Sequence, residues 1–199
     1  MAIVFPTVLD VDAYVAAGRR VEVARPACPG CTKAMRFWGW YTRDVRVSAE
    51  VVHRLEVRRA RCCACERSHA LLPDFVTWGR LDVVEVIGPA LEAMCAGAGA
   101  RGVARALNLG RTTVRNWRHR FARRAGLLAV GFCRYVVALG DLAPRLSGHR
   151  EGVAVAAATA AWQAARRRFE GVGELWRLAN AVVGGQLLSP NMDPPWAAA

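Results

Sequence analysis

Four cysteines in two closely spaced pairs are the residues best suited to chemistry in this 199-residue chain. They are Cys28, Cys31, Cys62 and Cys65. Each pair has the form Cys-x-x-Cys, and two such pairs can arrange four thiolates tetrahedrally around Zn2+, about 2.3 Å from each sulfur. Pro29 and Gly30 allow the tight turn that directs the first two sulfurs to one point. The spacing predicts a structural zinc site with no open coordination position for catalysis.

The identity of one ligand in the second pair is ambiguous, because Cys63 follows Cys62 directly. Only Cys62 has the same spacing to Cys65 that the first pair has, so Cys62 is the predicted ligand and Cys63 the alternative. His69 is a possible substitute ligand, although a lone histidine near such a motif more often faces solvent. Other interpretations of the cluster are a site that has lost its metal and a redox pair, but a thioredoxin-like site needs a βαβ context that neither pair has.

The residues between the two pairs are predicted to form two strands. Residues 35–41 are rich in aromatic side chains, and residues 52–61 alternate apolar with charged side chains. Alternation with period two is typical of a strand that packs one face and exposes the other. Residues 1–75 are therefore predicted to be a lead-in, with a short helix near residues 11–17, followed by a zinc ribbon.

A helical pattern begins after residue 80. Asp82, followed three residues later by Glu85, predicts a capping box at the start of a helix. Pro89 either kinks that helix or restarts it. Two further helices are predicted at residues 101–107 and 111–124.

Residues 100–124 have the features of a helix-turn-helix. Such a motif needs a small residue where its helices cross, a turn residue in the left-handed conformation and an apolar anchor on the second helix. Ala104, Asn108 and Val114 fill these positions, since Asn tolerates the left-handed conformation well. The motif is predicted within residues 80–125.

The second helix separates apolar from basic side chains. Val114, Trp117 and Phe121 share one face at 3.6 residues per turn, and residues 101–124 contain no acid. The opposite face offers Arg for guanine, Asn for adenine and hydroxyl groups for phosphate. The predicted DNA contacts are Arg111, Thr112, Arg115, Asn116, His119 and Arg123. The alternative is an amphipathic core helix with a solvated basic face.

The remaining segment, residues 126–199, is predicted to be helical with breaks around residues 140–152 and 171–173 and a loose tail after Gly184. Trp162, Phe169, Trp176 and Leu178 recur at near-helical spacing, which indicates core packing or, secondly, a homodimer interface. Cys95 and Cys133 stand alone in apolar helical sequence and are predicted to be buried. The predicted fold class is α+β, mostly α.

Composition favours a polyanionic partner and a cytoplasmic protein. The formal net charge is +12, from 28 Lys and Arg against 16 Asp and Glu. No secretory signal pattern opens the chain, which favours metal binding over disulfides. Residues 125–140 and 152–165 are apolar but shorter than the roughly 20 residues of a membrane span. They are predicted to be buried or interfacial helices, with a membrane hairpin as the alternative.

The order of CPGC, RCCAC, HALLPDF and TTVRNW resembles the N-terminal DNA-binding part of insertion-sequence transposases, and more closely a family of short bacterial zinc-ribbon plus helix-turn-helix proteins. The resemblance covers about residues 21–124. It implies four zinc-binding cysteines and a DNA-reading helix at residues 111–124. Such transposases continue into a catalytic domain with three metal-binding carboxylates, which the helical, alanine-rich remainder does not match.

These features predict a double-stranded-DNA-binding protein, either a transcriptional regulator or a transposon-associated accessory factor, that is not an enzyme. The ribbon could add phosphate contacts through Arg54, Arg58, Arg59 and Arg61. One alternative is a zinc-stabilised protein-interaction module with an incidental basic face. A nuclease is the least favoured hypothesis, because no catalytic constellation is visible in the sequence.

Overall fold

A four-stranded sheet lies at the N-terminal end of the computed structural model, which describes residues 2–189. Its strands are β1 (Ala2–Phe5), β2 (Met35–Arg46), β3 (Val52–Cys62) and β4 (Ser68–Pro73). The spatial order is β1-β4-β3-β2, with β1 parallel to β4 and the other neighbours antiparallel. The end of the predicted loose tail, with Pro190, Pro194 and Pro195, lies outside the described residues.

The two strands predicted between the cysteine pairs are confirmed and are longer than predicted. They form the hairpin β2-β3, in which Met35 pairs with Cys62 at one end and Arg46 with Val52 at the other. The register shifts between Phe37 and Gly39, so Trp38 forms a β-bulge. Strands β1 and β4 were not predicted, because their short apolar runs lack the alternation of a half-exposed strand.

Both faces of the sheet are covered near β4, by different parts of the chain. Leu55, Val57 and Leu72 belong to the main core, together with residues of the helices. Successive side chains of a strand point to opposite faces, so Ala60 and Leu71 lie on the other side. There they form a second, smaller core with three residues of the cysteine-bearing end, which are Cys28, Met35 and Cys62.

Six helices complete the described chain, so the fold is mixed α+β. They are α1 (Val11–Ala17), α2 (Val84–Cys95), α3 (Ala100–Ala106), α4 (Arg111–Ala138), α5 (Arg150–Arg168) and α6 (Leu175–Val182). The breaks predicted around residues 140–152 and 171–173 are confirmed as the connections on either side of α5. Helix α4 is continuous through residues 125 and 126, where the sequence predicts a domain boundary. None of the described helices combines the length and apolar character of a membrane span.

The predicted capping box at Asp82 is wrong. Helix α2 begins after Val83, whose side chain offers no cap, and Asp82 instead accepts a hydrogen bond from Nε of Arg46 at 2.7 Å. Asp82 is buried, so its carboxylate is stabilised by the strand arginine and is unavailable to the helix. Pro89 lies inside α2, which neither ends nor restarts there.

The helices pack through small residues and one buried tryptophan. Alanines of α5 line its contact with α4, and they include Ala154, Ala158 and Ala161. Trp176 of α6 is buried, as the core interpretation predicts. The centre of its ring lies 6.3 Å from that of Phe121. Phe169 does not follow that prediction, because it lies beyond the end of α5 and is 53% exposed.

Substituting alanine for Gly88 is expected to destabilise the protein by about 1–3 kcal/mol, because the new Cβ would lie 2.0 Å from Cγ of the buried Trp176. Gly126→Ala in α4 is the matched control, since its Cβ would meet nothing closer than 3.8 Å. The control should stabilise the helix by up to about 1 kcal/mol. Urea unfolding compares the two variants. Equal stability of Gly88→Ala and wild type would contradict the close packing of α2 on α6.

A half-buried acid of α2, Glu85, gives the stability of the protein a pH dependence. Burial raises the pKa of Glu85 to about 7 from an ordinary value of 4.5, although its side chain keeps 32% exposure and Arg177 lies 3.7 Å away. A carboxyl with a raised pKa binds its proton more tightly in the folded state. Its contribution is therefore fully present below pH 4.5 and is lost as pH rises through 7.

Glu85→Gln is expected to remove this loss, because the amide stays neutral. Relative to the variant, wild type should lose about 1–2 kcal/mol of unfolding free energy between pH 5 and 8. This is less than the full pKa shift implies, because part of the carboxyl is solvated. The measurement is the free energy of unfolding at several pH values. The difference between the two proteins isolates Glu85 from groups that titrate in both, and a difference that does not change with pH would contradict the raised pKa.

Candidate metal centre and basic helix face

The two cysteine pairs share one backbone conformation. In the first, the backbone N–H of Cys28 donates to the carbonyl oxygen of Lys33 at 2.9 Å. In the second, the N–H of Cys62 donates to the carbonyl oxygen of Arg67 at 2.9 Å. Both bonds span five residues, so each closes a loop of the same size around its two cysteines.

A left-handed residue stands at the same place in both loops. Thr32 follows the second cysteine of the first pair with φ 59°, and Glu66 follows Cys65 with φ 57°. Neither is glycine, although this conformation is uncommon for other residues. Two loops with the same hydrogen bond and the same unusual residue form two equivalent knuckles at one end of the β2-β3 hairpin.

The four predicted sulfurs converge on one point. Sγ of Cys28 lies 3.6 Å from Sγ of Cys65, and Sγ of Cys31 lies 3.4 Å from Sγ of Cys62. All four sulfurs lie within 4.8 Å of one another. Four thiolates about 2.3 Å from a central ion would lie about 3.8 Å apart in a regular tetrahedron. The cluster can therefore hold a metal ion.

Backbone hydrogen bonds favour the thiolate at Cys62. The N–H of Cys65 and that of Ala64 point at its Sγ, at 3.5 and 3.4 Å. These bonds stabilise negative charge on sulfur and lower the pKa of Cys62 to about 6. Metal binding needs a deprotonated thiol, so the knuckle backbone assists it.

The structure separates Cys62 from its neighbour Cys63. Cys63 is exposed and lies outside the convergent cluster, so the predicted choice of Cys62 agrees with the geometry. His69 is also outside the cluster and does not face solvent as expected, because it is 2% exposed in β4. The two lone cysteines are half-buried rather than fully buried, and desolvation raises the pKa of both Cys95 and Cys133.

Cys62→Ser is expected to weaken metal binding by more than about 100-fold, because it removes a ligand. Loss of a hydrogen bond to a ligand costs up to about 100-fold, and loss of the ligand itself should cost more. Cys63→Ser, one residue away, is the control and should keep full affinity. Native mass spectrometry of each variant with Zn2+ as the probe gives the metal content per chain. Loss of metal in Cys63→Ser with retention in Cys62→Ser would reverse the ligand assignment.

The local features predicted for residues 100–124 are present. Helices α3 and α4 are joined by a short turn in which Asn108 has φ 51°, the left-handed conformation that its side chain tolerates. Ala104 and Val114 are both buried on facing helices. The turn residue, the small residue and the apolar anchor therefore lie where their types require.

Helix α4 presents its predicted basic face to solvent. Val114, Trp117 and Phe121 are buried. The six predicted contact residues are all exposed; they are Arg111, Thr112, Arg115, Asn116, His119 and Arg123. Within residues 2–189 none of the three arginines in this set forms an ion pair, so their guanidinium groups face solvent without an acidic partner. This face is a concentrated positive surface.

A contact that was not predicted from the sequence joins the hairpin to this region. Nδ2 of Asn108 donates to Oε1 of Glu50 at 3.0 Å, and Glu50 lies in the turn between β2 and β3. Backbone N–H groups of that turn donate to Oγ of Ser48. The hairpin turn thereby contacts the α3–α4 turn. No local pattern indicates a pairing between residues 58 positions apart.

The four ribbon arginines differ in their contacts. Arg54 donates to Thr42, Arg59 to Ser68 and Arg61 to Glu66, at distances of 3.2, 2.8 and 2.9 Å. Arg58 instead stacks on aromatic rings. The predicted set therefore includes three arginines that are already hydrogen-bonded within the protein.

Comparison with protein families gives one match, to the family described as Domain of unknown function (DUF6431), over residues 28–117. The match begins at the first cysteine of the cluster and ends at Trp117 in α4, and it covers less than half of the chain. No curated protein and no solved structure matches the chain.

Proposed function

We propose that the protein binds double-stranded DNA through a helix-turn-helix formed by α3 and α4, and that a zinc ribbon stabilises it. The observation that carries the proposal is the exposed face of α4. Six side chains able to contact bases or phosphates lie together there, on a helix whose opposite face is fixed in the core. Arg115 and Asn116 have the chemistry that reads guanine and adenine in a major groove.

Zinc is the metal proposed for the cysteine cluster. Four cysteine sulfurs within 4.8 Å of one another are a donor set typical of structural Zn2+. Such an ion would use all four ligands for structure and leave no position for substrate. Its role is to hold the two knuckles together at the end of the hairpin.

The proposed role is regulatory or accessory, without a catalytic centre. Of the acids after α4, Asp141 already pairs with Arg167 at 2.6 Å, which leaves it poorly suited to bind a catalytic metal. This agrees with the resemblance of residues 21–124 to the DNA-binding part of insertion-sequence transposases. A cytoplasmic transcriptional regulator or transposon-associated factor, possible as a homodimer, fits these features.

The test compares α4 with an unrelated surface. Wild-type protein selects binding duplexes from a randomised pool, and affinity is then measured at low and moderate salt. Arg115→Ala/Asn116→Ala should reduce affinity for the selected duplex at least tenfold, since each lost base contact is worth about 1–3 kcal/mol. Gln163→Ala/Arg166→Ala on exposed positions of α5 is the matched control.

Wild-type affinity should fall steeply with salt, because phosphate contacts release counterions. Equal affinity of the α4 variant and the α5 control would show that α4 does not read DNA. Absence of duplex binding at low salt would overturn the DNA-binding proposal altogether.

A protein-interaction module is the second candidate, and one observation favours it. Leu127, Val130 and Val137 follow the basic face along α4 and are 43%, 49% and 53% exposed. The last two also line a cavity of about 480 Å³ beside the α4–α5 connection. Apolar side chains grouped in this way are typical of an interface. Association that does not weaken with salt, in a protein that does not bind DNA, would favour this candidate.

A further inference from the structure

The β2-β3 hairpin holds arginines against aromatic rings. The guanidinium carbon of Arg58 lies 4.4 Å from the ring centre of Phe37 and 4.4 Å from that of Trp40. A cation over an aromatic face is attracted by the ring and is held in a defined plane. Arg58 is therefore fixed between two rings of the neighbouring strand.

The β-bulge creates a second group of this kind nearer the cysteine cluster and on the opposite face of the hairpin, because Arg36 pairs with Arg61 whereas Phe37 pairs with Ala60. Trp38 is 52% exposed, and its ring lies 5.8 Å from the guanidinium of Arg36 and 5.0 Å from that of Arg61. A large aromatic residue at an exposed bulge gains little from burial. Its contacts instead hold two cations together at the surface.

Two of these arginines keep their hydrogen-bond donors free. Within the described chain, neither Arg36 nor Arg58 forms a side-chain hydrogen bond or an ion pair. Stacking uses the face of a guanidinium and leaves its N–H edge available for the paired oxygens of a phosphate. Arg61, by contrast, is bound to Glu66.

The nearby acids do not neutralise this surface. Glu56 pairs with Arg19 at 3.0 Å, and Glu66 pairs with Arg61 at 2.9 Å. Each of these acids has its own arginine partner. The charges of Arg36 and Arg58 therefore remain uncompensated by a direct partner.

We propose that the hairpin is a second DNA-binding surface, which binds phosphates of the duplex flanking the site read by α4. This guanidinium–aromatic surface follows the edge strand β2 and has two stacked groups, one on each face of the hairpin: Arg58 with Phe37 and Trp40 on one face, and Arg36 with Trp38 on the other. The inference rests on the proposed DNA binding and extends it to a part of the chain outside α4. The surface contributes affinity and footprint length, because phosphate contacts carry no base sequence.

The fold gives this surface a defined separation from α4. Glu50 in the hairpin turn is bonded to Asn108 beside the start of α4. A strand advances about 3.3 Å per residue, so Arg58 and Arg36 lie about 20 and 33 Å along the hairpin from that turn. One turn of duplex is about 34 Å. We therefore expect that a duplex contacted by α4 needs additional length on its flank to meet the hairpin.

The experiment varies the duplex and the protein together. The sequence selected by wild type is placed at the centre of a duplex of about 34 base pairs and of one of about 14 base pairs. Arg36→Ala/Arg58→Ala is compared with Arg145→Ala/Arg166→Ala, which removes two charges from exposed positions that belong to neither surface. Metal content and far-UV circular dichroism verify that each variant is folded.

The hairpin variant should bind the long duplex at least tenfold more weakly than wild type and the short one almost equally. The slope of log affinity against log salt on the long duplex should fall by about 2, since each phosphate contact contributes about 0.9. Arg36→Lys/Arg58→Lys keeps the charges but not the planar stacked groups, so its affinity should remain below wild type. Full recovery with lysine would overturn the role of the rings.

The outcomes separate the two proposals. If the hairpin variant matches its control on the long duplex while Arg115→Ala/Asn116→Ala still loses affinity, the hairpin inference is wrong and the α4 proposal stands. If only the hairpin variant loses affinity, the surface stands and α4 is not the reader. If wild type binds neither duplex, both proposals are overturned.

Discussion

The fold depends on one buried ion pair between the sheet and the last helix. Arg177 of α6 donates to Oδ1 of Asp74 at 2.6 and 2.9 Å, and also to the carbonyl oxygens of Thr7 and Leu9. Asn180, one turn later, donates to the backbone carbonyl of Asp74. A buried charge pair is tolerated only when its hydrogen bonds are satisfied, and a neutral replacement can be equally stable. Its effect here is to hold α6 against the segment that follows β1 and the segment that follows β4.

That constraint sets the relation between the two candidate surfaces. Asp74 directly follows β4, and α6 packs beside α2 and α4, so the ion pair fixes the sheet against the helices. The contact of Glu50 with Asn108 fixes the hairpin turn at a second place. Two separate attachments restrict rotation of the hairpin relative to α4. A surface on β2-β3 and a surface on α4 are therefore connected at two places, which favours the proposed contact of both with one duplex.

Sequence patterns were informative wherever the determining interactions are local. The repeated Cys-x-x-Cys spacing predicts the four convergent sulfurs, and alternation predicts β3, because both depend on residues close in the chain. The same patterns did not indicate that Asp82 would bind Arg46 instead of capping α2. They also missed Arg177, whose partner lies 103 residues away. Where a side chain can form either a local or a distant hydrogen bond, its actual partner can be predicted only when the distant residue is known to lie nearby.

The continuity of α4 holds its basic face in place without help from the candidate metal centre. The C-terminal half of α4 packs on α5, and its N-terminal half carries the exposed arginines, so the face is held by a helix anchored over 28 residues. The cysteine knuckles lie at the opposite end of the hairpin from the turn that contacts Asn108. If the cluster holds a metal as proposed, removal of that metal would unlink the two knuckles while the hairpin turn stayed bonded to Asn108. The direct consequence would fall on the guanidinium–aromatic surface, because Arg36 and Cys62 belong to adjacent rungs of the hairpin.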